Sequence, residues 1–272
     1  MATIVLLEHQ LQERLGIAYM AHLFARHWEQ RGHRVLFHRG VAPPPPGDLA
    51  ILHVDLTVVP ESYRDIASRY PKVLNARAWD IRKSAYSMAR VERGDPWPGK
   101  VLIKTDANHG GHVDDALRRF ALADGRATDV AERPLMDHYY LCDSMARVPD
   151  RIWDTPGVLV EKFVPETDAG GNYLRVYTFC GPEERSTRYR SADPLIRAGN
   201  YLSREPVELP PVVREWRERL GFDLGKIDYV RHEGQFVLLD ANRTPGAPEH
   251  FVSDPEVAAS FERLARGIEA FL

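Results

Sequence analysis

Two apolar runs late in the chain, 227–230 and 236–239, are joined by Arg231-His232-Glu233-Gly234-Gln235, a short polar stretch with one glycine. The pattern predicts a β-hairpin. No other feature constrains the fold as tightly, because a hairpin fixes which side chains oppose one another. Asp228 then lies opposite or diagonal to Asp240. Opposed Cβ atoms sit roughly 4.5–5.5 Å apart and diagonal ones about 7–8 Å. Asp240 and Asn242 are two apart and share one face if the strand continues. Carboxylate and amide oxygens placed together suit magnesium, a hard cation that keeps several waters and binds substrate phosphates as well.

A second segment, far away in the chain, complements the first. Val101-Leu102-Ile103 is an apolar strand ending in Lys104, and it runs into Thr105-Asp106-Ala107-Asn108-His109-Gly110-Gly111. A lysine closing a strand before a glycine-bearing loop is a common grip for phosphates. Taken alone, Lys104 reads as a solvated strand end. Paired with three oxygen ligands on a late hairpin, it points to a nucleoside triphosphate site.

The first 75 residues alternate strand and helix. Residues 3–7 form a buried type of strand, and 11–31 a helix with Leu15, Met20, Leu23, Phe24 and Trp28 on one side. Residues 34–37, 49–52 and 73–74 return as strands, and 61–70 as a helix. Pro43 to Pro46 make a stiff connector. The alternation predicts a Rossmann-like parallel sheet with right-handed crossovers. Ligands bind beyond the carboxyl ends of such strands, which brings in His9, His53 and Asp55 as candidates for recognising an acceptor. Beyond Lys83 the order changes. A helical piece is expected over 84–92. A βαβ lid follows, with strand 101–104, helix 113–123 and strand 158–164. An irregular stretch of 126–155, with a short strand near Tyr139-Tyr140-Leu141, lies between that helix and its second strand. The chain closes with a packing helix capped by Ser253 or Asp254, with Pro255 in its first turn.

On these residues the chain resembles the ATP-grasp superfamily, and within it the glutathione synthetase, D-alanine–D-alanine ligase and glutamate ligase group of carboxylate–amine ligases. The family's last sheet carries an Asp, about twelve residues on a Glu, an Asn two further, and a Pro-Gly. Asp228, Asp240, Asn242 and Pro245-Gly246 match that order, with Asp240 in place of the usual Glu. The resemblance implies an α/β chain in which two α+β lobes clasp ATP, preceded by the small parallel lobe. The division would be 1–82 and 83–272, with the lid at about 100–164. It implies ATP and one or two Mg²⁺ ions as cofactors, and an acylphosphate made from a carboxylate and captured by an amine. Lys83 and Lys104 would bind phosphates, and Gly110 and Gly111 would form the small lid loop. Glu161, Lys162, Phe163 and Val164 would line adenine through their main chain, and Asp168 would bind ribose hydroxyls. Arg175 and Arg190, or Arg188 on the same strand face, would hold the acylphosphate.

Composition agrees with such an enzyme. The 272 residues carry a net charge of −3, with no basic excess to suggest nucleic acid. Cys142 and Cys180 are too few for a zinc site or a disulfide framework. The most apolar helical run, 17–25, contains His22 and is too short for a bilayer, and no signal peptide is evident. The expected setting is the cytoplasm. The expected partners are small-molecule or peptide carboxylate and amine substrates, with neither nucleic acid nor membrane, and a homodimer stays open. Two other readings keep the nucleotide site. One is a kinase acting on a small-molecule hydroxyl, and the other a non-catalytic nucleotide-binding protein.

Overall fold

The computed structural model describes residues 1–197, 199–247 and 253–272. Three sheets follow one another along the chain. The first contains β1 (Thr3–Glu8), β2 (Arg34–Arg39), β3 (Leu49–Leu52) and β4 (Val73–Leu74), all parallel, in the order β2-β1-β3-β4. The unbroken apolar sequences of β1 and β3 fit their central places, because a parallel sheet is covered on both faces. Ile4, Leu6, Leu49 and Ile51 point to one side and pack on α1 (Met20–Gln30). Val5, Leu7, Ala50 and Leu52 point to the other and pack on α2 (Glu61–Ala67). Since β2 and β3 flank β1 on opposite sides, the strand order reverses at β1, and the crevice beyond the ends of β1 and β3 receives Glu8 and His53.

The helix expected over 11–31 is shorter. A 3-10 turn spans Gln12–Leu15, Gly16 takes a left-handed φ of 63°, and α1 begins only at Met20. The intervening backbone is used elsewhere. Tyr19 bridges to Gly246, Met20 N–H donates to the Pro245 carbonyl, and Ala247 N–H donates to Ala18. The late Pro-Gly turn is thereby stitched to the first lobe.

The second sheet has the order β5-β8-β6-β7, built from β5 (Arg90–Val91), β6 (Val101–Thr105), β7 (Tyr140–Cys142) and β8 (Val158–Lys162). All its pairings are antiparallel, not the parallel βαβ pairing expected. The helix explains the difference. After the glycine loop, α4 (His112–Ala123) turns Val113, Leu117 and Ala121 onto the face of the first sheet that also holds α2. It leaves the lid sheet, and β8 returns directly against β6. The helix expected over 84–92 is a single turn, α3 (Lys83–Tyr86), because Ser87 is already extended and β5 follows. A further single turn, α5 (Asp150–Trp153), precedes β8.

The third sheet is antiparallel, in the order β12-β11-β10-β13-β14, with β9 also paired to β10. Its strands are β9 (Glu166–Asp168), β10 (Gly171–Cys180), β11 (Glu183–Ser191), β12 (Ser203–Pro206), β13 (Leu224–His232) and β14 (Gln235–Asn242). One face is covered by α6 (Pro211–Leu220), whose Val213 and Trp216 join Tyr177, Phe179, Ile227 and Tyr229 in a core. The last helix, α7 (Pro255–Ala265), is capped by the Asp254 carboxylate, which accepts from the N–H groups of Glu256 and Val257. It lies against α1, where Trp28 Nε1 donates to the Ala265 carbonyl at 2.8 Å. Among the described residues no helix is long and apolar enough to cross a membrane.

Candidate functional site

The hairpin β13–β14 sets the geometry. Asp228 is in register with Asp240 and Lys226 with Asn242, and a bulge falls between Asp228 and Tyr229. Registered partners and i, i+2 neighbours share a face, so Lys226, Asp228, Asp240 and Asn242 all project to one side. Lys226 Nζ lies 2.7 and 3.0 Å from the two Asp228 carboxylate oxygens. Asp240 accepts from the Tyr86 hydroxyl at 3.0 Å and lies 3.5 Å from Lys83 Nζ. Burial works against charge on both acids. Lys83, with Lys226, Lys104 and the Tyr86 hydroxyl, nevertheless holds the Asp240 carboxyl below its ordinary value. Asp228 is pushed up by burial and by the Asp240 charge it faces, despite Lys226.

The other half of the site comes from α3 and the second sheet. Lys83, almost wholly buried, donates to the Ala107 carbonyl at 2.7 Å and so ties the loop after β6 to the hairpin. Lys104 on β6 is paired with Glu161 on β8, and both side chains are buried. The second Glu161 oxygen, Oε1, is also buried and has no hydrogen-bond partner among the described residues. Tyr139 stands between the two halves. Lys104 Nζ lies 5.7 Å and the Arg197 guanidinium 5.8 Å from its ring centre. Burial raises its phenol well above the ordinary value, as do the charges of Asp240, Glu161 and Asp228.

Lys83, Lys104, Glu161, Asp228, Asp240 and Asn242 therefore belong to one neighbourhood drawn from α3 and two sheets. The other expected residues are placed differently. The register puts Val176, not Arg175, opposite Asp228, so Arg175 projects to the far face of the third sheet. There it grips Glu166 through three hydrogen bonds of 2.7–3.1 Å. Arg188 is registered with Arg175 and shares that face; it pairs with Glu205 and stacks 4.4 Å from the Tyr173 ring centre. Arg190 reaches Ser203 Oγ and the Gly170 carbonyl. The structure does not bring these three arginines to the acidic pair, because strand alternation turns them away. Asp168 is exposed in the β9–β10 turn, where it accepts from Gly170 N–H and the Tyr173 hydroxyl.

Main-chain groups of the expected adenine segment are partly committed. Lys162 N–H donates to Ala89 and Phe163 N–H to Lys100, at 2.7 and 2.9 Å, while Val164 is buried. Gly110 and Gly111 both have positive φ, and a Cβ on either would meet the carbonyl of Met136 or Pro134, at 2.4 and 2.9 Å. The segment 134–136 thus lies directly on the glycine loop and requires glycine there. Asp55, another candidate, receives the Tyr19 hydroxyl at 2.7 Å and Thr244 Oγ1 at 2.6 Å. Thr244 N–H also donates to the Asn242 amide oxygen, at 2.8 Å. His9 and His53 are buried at the ends of β1 and β3.

Lys226, Tyr86 and Tyr139 are members of the site that the sequence reading did not assign. For Lys226 the signal was present, since it stands two residues before Asp228 on a predicted strand. Tyr139 lies in a stretch whose placement depends on long-range packing. The oxygen donors fit a hard divalent cation: two opposed carboxylates on one face with an amide oxygen beside them. Asn242 shares its oxygen with the Thr244 turn, and Lys226 shares Asp228.

No protein-family model and no curated protein matches the sequence. Solved structures do match over the whole chain. An ATP-grasp ligase, PsnB, complexed with a phosphomimetic variant of its minimal precursor, Mg and ADP, superposes with a TM-score of 0.56 at 10% identity, covering 98% of each chain. The D-alanine–D-alanine ligase of Bacillus anthracis gives 0.54 at 9% identity, covering 100% of this chain and 97% of that one. The macrocyclase MdnC of Microcystis aeruginosa, bound with precursor peptide MdnA, gives 0.52 at 11%, covering 97% and 98%. At these identities the likeness speaks for the architecture, and by it the chain has the ATP-grasp fold.

Proposed function

We propose that this chain is an ATP-dependent ligase that activates a substrate carboxylate as an acylphosphate and passes the acyl group to an amine. The observation that carries the reading is the convergence of Lys83 from α3 and Lys104 from the second sheet with Asp228 and Asp240 on the third. Asp228, Asp240 and the Asn242 amide would hold magnesium. When bound, that ion supplies charge neutralisation to the phosphate oxygens. Lys83 and Lys104, flexible point charges, suit a triphosphate that changes shape as it reacts. Glu161 Oε1, a buried acceptor without a partner among the described residues, suits an amino group on the nucleobase. Phe163 and Val164 would line the base, Asp168 the ribose, and the Gly110–Gly111 loop would cover the phosphates.

The carboxylate oxygen attacks the γ phosphorus in line and ADP departs. The amine then attacks the acyl carbon and displaces phosphate. Positioning and electrostatics carry most of such a transfer. Lys226, on the same face as both acids, is the cation placed to meet the acylphosphate, a role the far-face position of Arg175 does not favour. A peptide carboxylate is a natural candidate, since two of the similar structures contain a precursor. Two free cysteines are in keeping with a cytoplasmic setting.

The test is product analysis with Mg-ATP and a panel of carboxylates and amines, including peptides. ADP and phosphate released one-to-one with a new amide is the expected result. ADP with a phosphorylated acceptor would make the chain a kinase. Saturable Mg-ATP binding without ADP release across the panel would make it a binding protein.

A further inference from the structure

A second cluster of ligating side chains lies in the first lobe, at the crevice where its strand order reverses. Glu8 ends β1, His53 follows β3, and His22 comes from α1. Glu8 Oε1, His22 Nε2 and one His53 ring nitrogen all lie within 4.8 Å of one another. Glu8 and His53 are fully buried and His22 is half-buried. Glu8 Oε1 stands 2.5 Å from His22 Nε2 and 3.5 Å from His53 Nδ1. The other Glu8 oxygen is held by Arg39 Nε at 3.1 Å, and Arg39 is itself paired with Glu13 at 3.0 Å. Oε1 is left to face the two imidazoles.

Gln12 holds His53 in place. Its amide oxygen accepts from the N–H groups of His9 and Asp55, at 3.3 and 2.8 Å. Its amide nitrogen must then point the other way, and it lies 3.1 Å from the His53 carbonyl and 3.4 Å from His53 Nδ1. His53 Nδ1 lies 3.5 Å from Glu8 Oε1, and the other ring nitrogen of His53, Nε2, is buried with no hydrogen-bond partner among the described residues. Glu8 Oε1 thus has an imidazole nitrogen on either side, an arrangement of one carboxylate and two imidazoles that a cation can bridge.

We propose that Glu8, His22 and His53 form a binding site for a first-row divalent transition ion such as Zn²⁺, distinct from the magnesium site of the hairpin. Two imidazoles and one carboxylate are a donor set for that class of ion and not for magnesium. Metal–nitrogen and metal–oxygen bonds of about 2.0–2.2 Å put tetrahedral ligands about 3.3 Å apart. The Glu8–His53 separation already matches, and His22 needs to withdraw by less than about an ångström, which its half-exposed place on α1 permits. Three protein ligands leave a coordination position open. A cavity of about 190 Å³ lined by Glu8, Gln12, Tyr19, His22 and Arg39 among others adjoins the cluster, large enough for water or a small anionic or amine ligand.

Cobalt(II) is the probe, titrated into chelator-treated protein in excess Mg²⁺, which occupies oxygen sites but competes poorly for imidazole. The expected result is a one-to-one visible d–d spectrum, weakened about 100-fold in affinity by His22→Ala and retained by Asp240→Asn. His22 is half-exposed, so its replacement tests the site without emptying the core. Absence of the spectrum in the unaltered chain would overturn the proposal, as would equal cobalt affinity in His22→Ala.

Discussion

Asp240 faces Asp228 across the closing hairpin, and each acid has a lysine of its own: Lys83 beside Asp240, Lys226 astride Asp228. The two carboxylates would repel at this range. The lysines, approached from different elements, hold them in one place without any bound ligand. Asp240→Asn keeps the shape and the Tyr86 contact but removes one charge. It should lower ADP release by about 10²–10³, a range typical for losing one preorganised electrostatic group, with circular dichroism unchanged. Turnover near the parental rate would remove Asp240 from the reaction.

Lys104 and Glu161 form a pair buried on both sides. Removing one partner leaves an uncompensated charge inside the protein, at a cost of about 3–5 kcal/mol. Lys104→Met and Glu161→Leu should each lower the denaturation midpoint strongly. The double variant should recover most of the loss, since apolar groups of similar volume can replace a buried ion pair at little cost. A double-mutant cycle by urea unfolding measures the coupling, and simple additivity of the two losses would mean that the ions do not depend on each other.

What the sequence made legible follows from how local each signal is. The Asp228–Asp240 pairing rests on two short runs and one turn, so it could be read directly, and so could the parallel sheet built from β1, β2, β3 and β4. The helix expected over 11–31 failed because Gly16 and the distant Pro245–Ala247 segment compete for its backbone. The direction of the lid strands failed for a related reason: α4 looks amphipathic from any side, and nothing local shows that its apolar face belongs to the first sheet. For the arginines the difference is one of parity. Arg175 is one residue from the position that faces Asp228, and a single-residue step in a strand reverses the side chain.

That parity separates two kinds of variant. Arg175 is bound to Glu166 on the far face, and both side chains are largely buried. Arg175→Ala should therefore act on stability, costing about 3–5 kcal/mol by stranding Glu166, and leave kcat near normal at temperatures where the chain stays folded. Lys226→Ala, on the near face, should lower kcat more than it lowers the melting temperature. Steady-state kinetics and thermal melts on the two variants make the comparison. A selective loss of kcat in Arg175→Ala with an unchanged melt would return that arginine to the reaction.

The packing of the C-terminus against the third sheet gives a sharper steric test. A Cβ on Gly267 would stand 1.7 Å from the Cys180 carbonyl oxygen, a backbone atom that cannot rotate aside. A Cβ on Gly246 would meet nothing closer than 3.6 Å. Gly267→Ala should force the segment Arg266–Phe271 off β10 and lower stability by about 1–3 kcal/mol or more, whereas Gly246→Ala should fold normally. Cys180 reports the displacement. It is fully buried, and burial pushes its thiol up to about 12, so at pH 8 almost none is thiolate and a thiol reagent should label Cys142 alone. In Gly267→Ala the Cys180 thiol gains access to water, its pKa falls back toward the ordinary range, and a second equivalent should react without denaturant. A single reactive thiol in that variant, with an unaltered melt, would mean that the backbone absorbs the methyl group without opening.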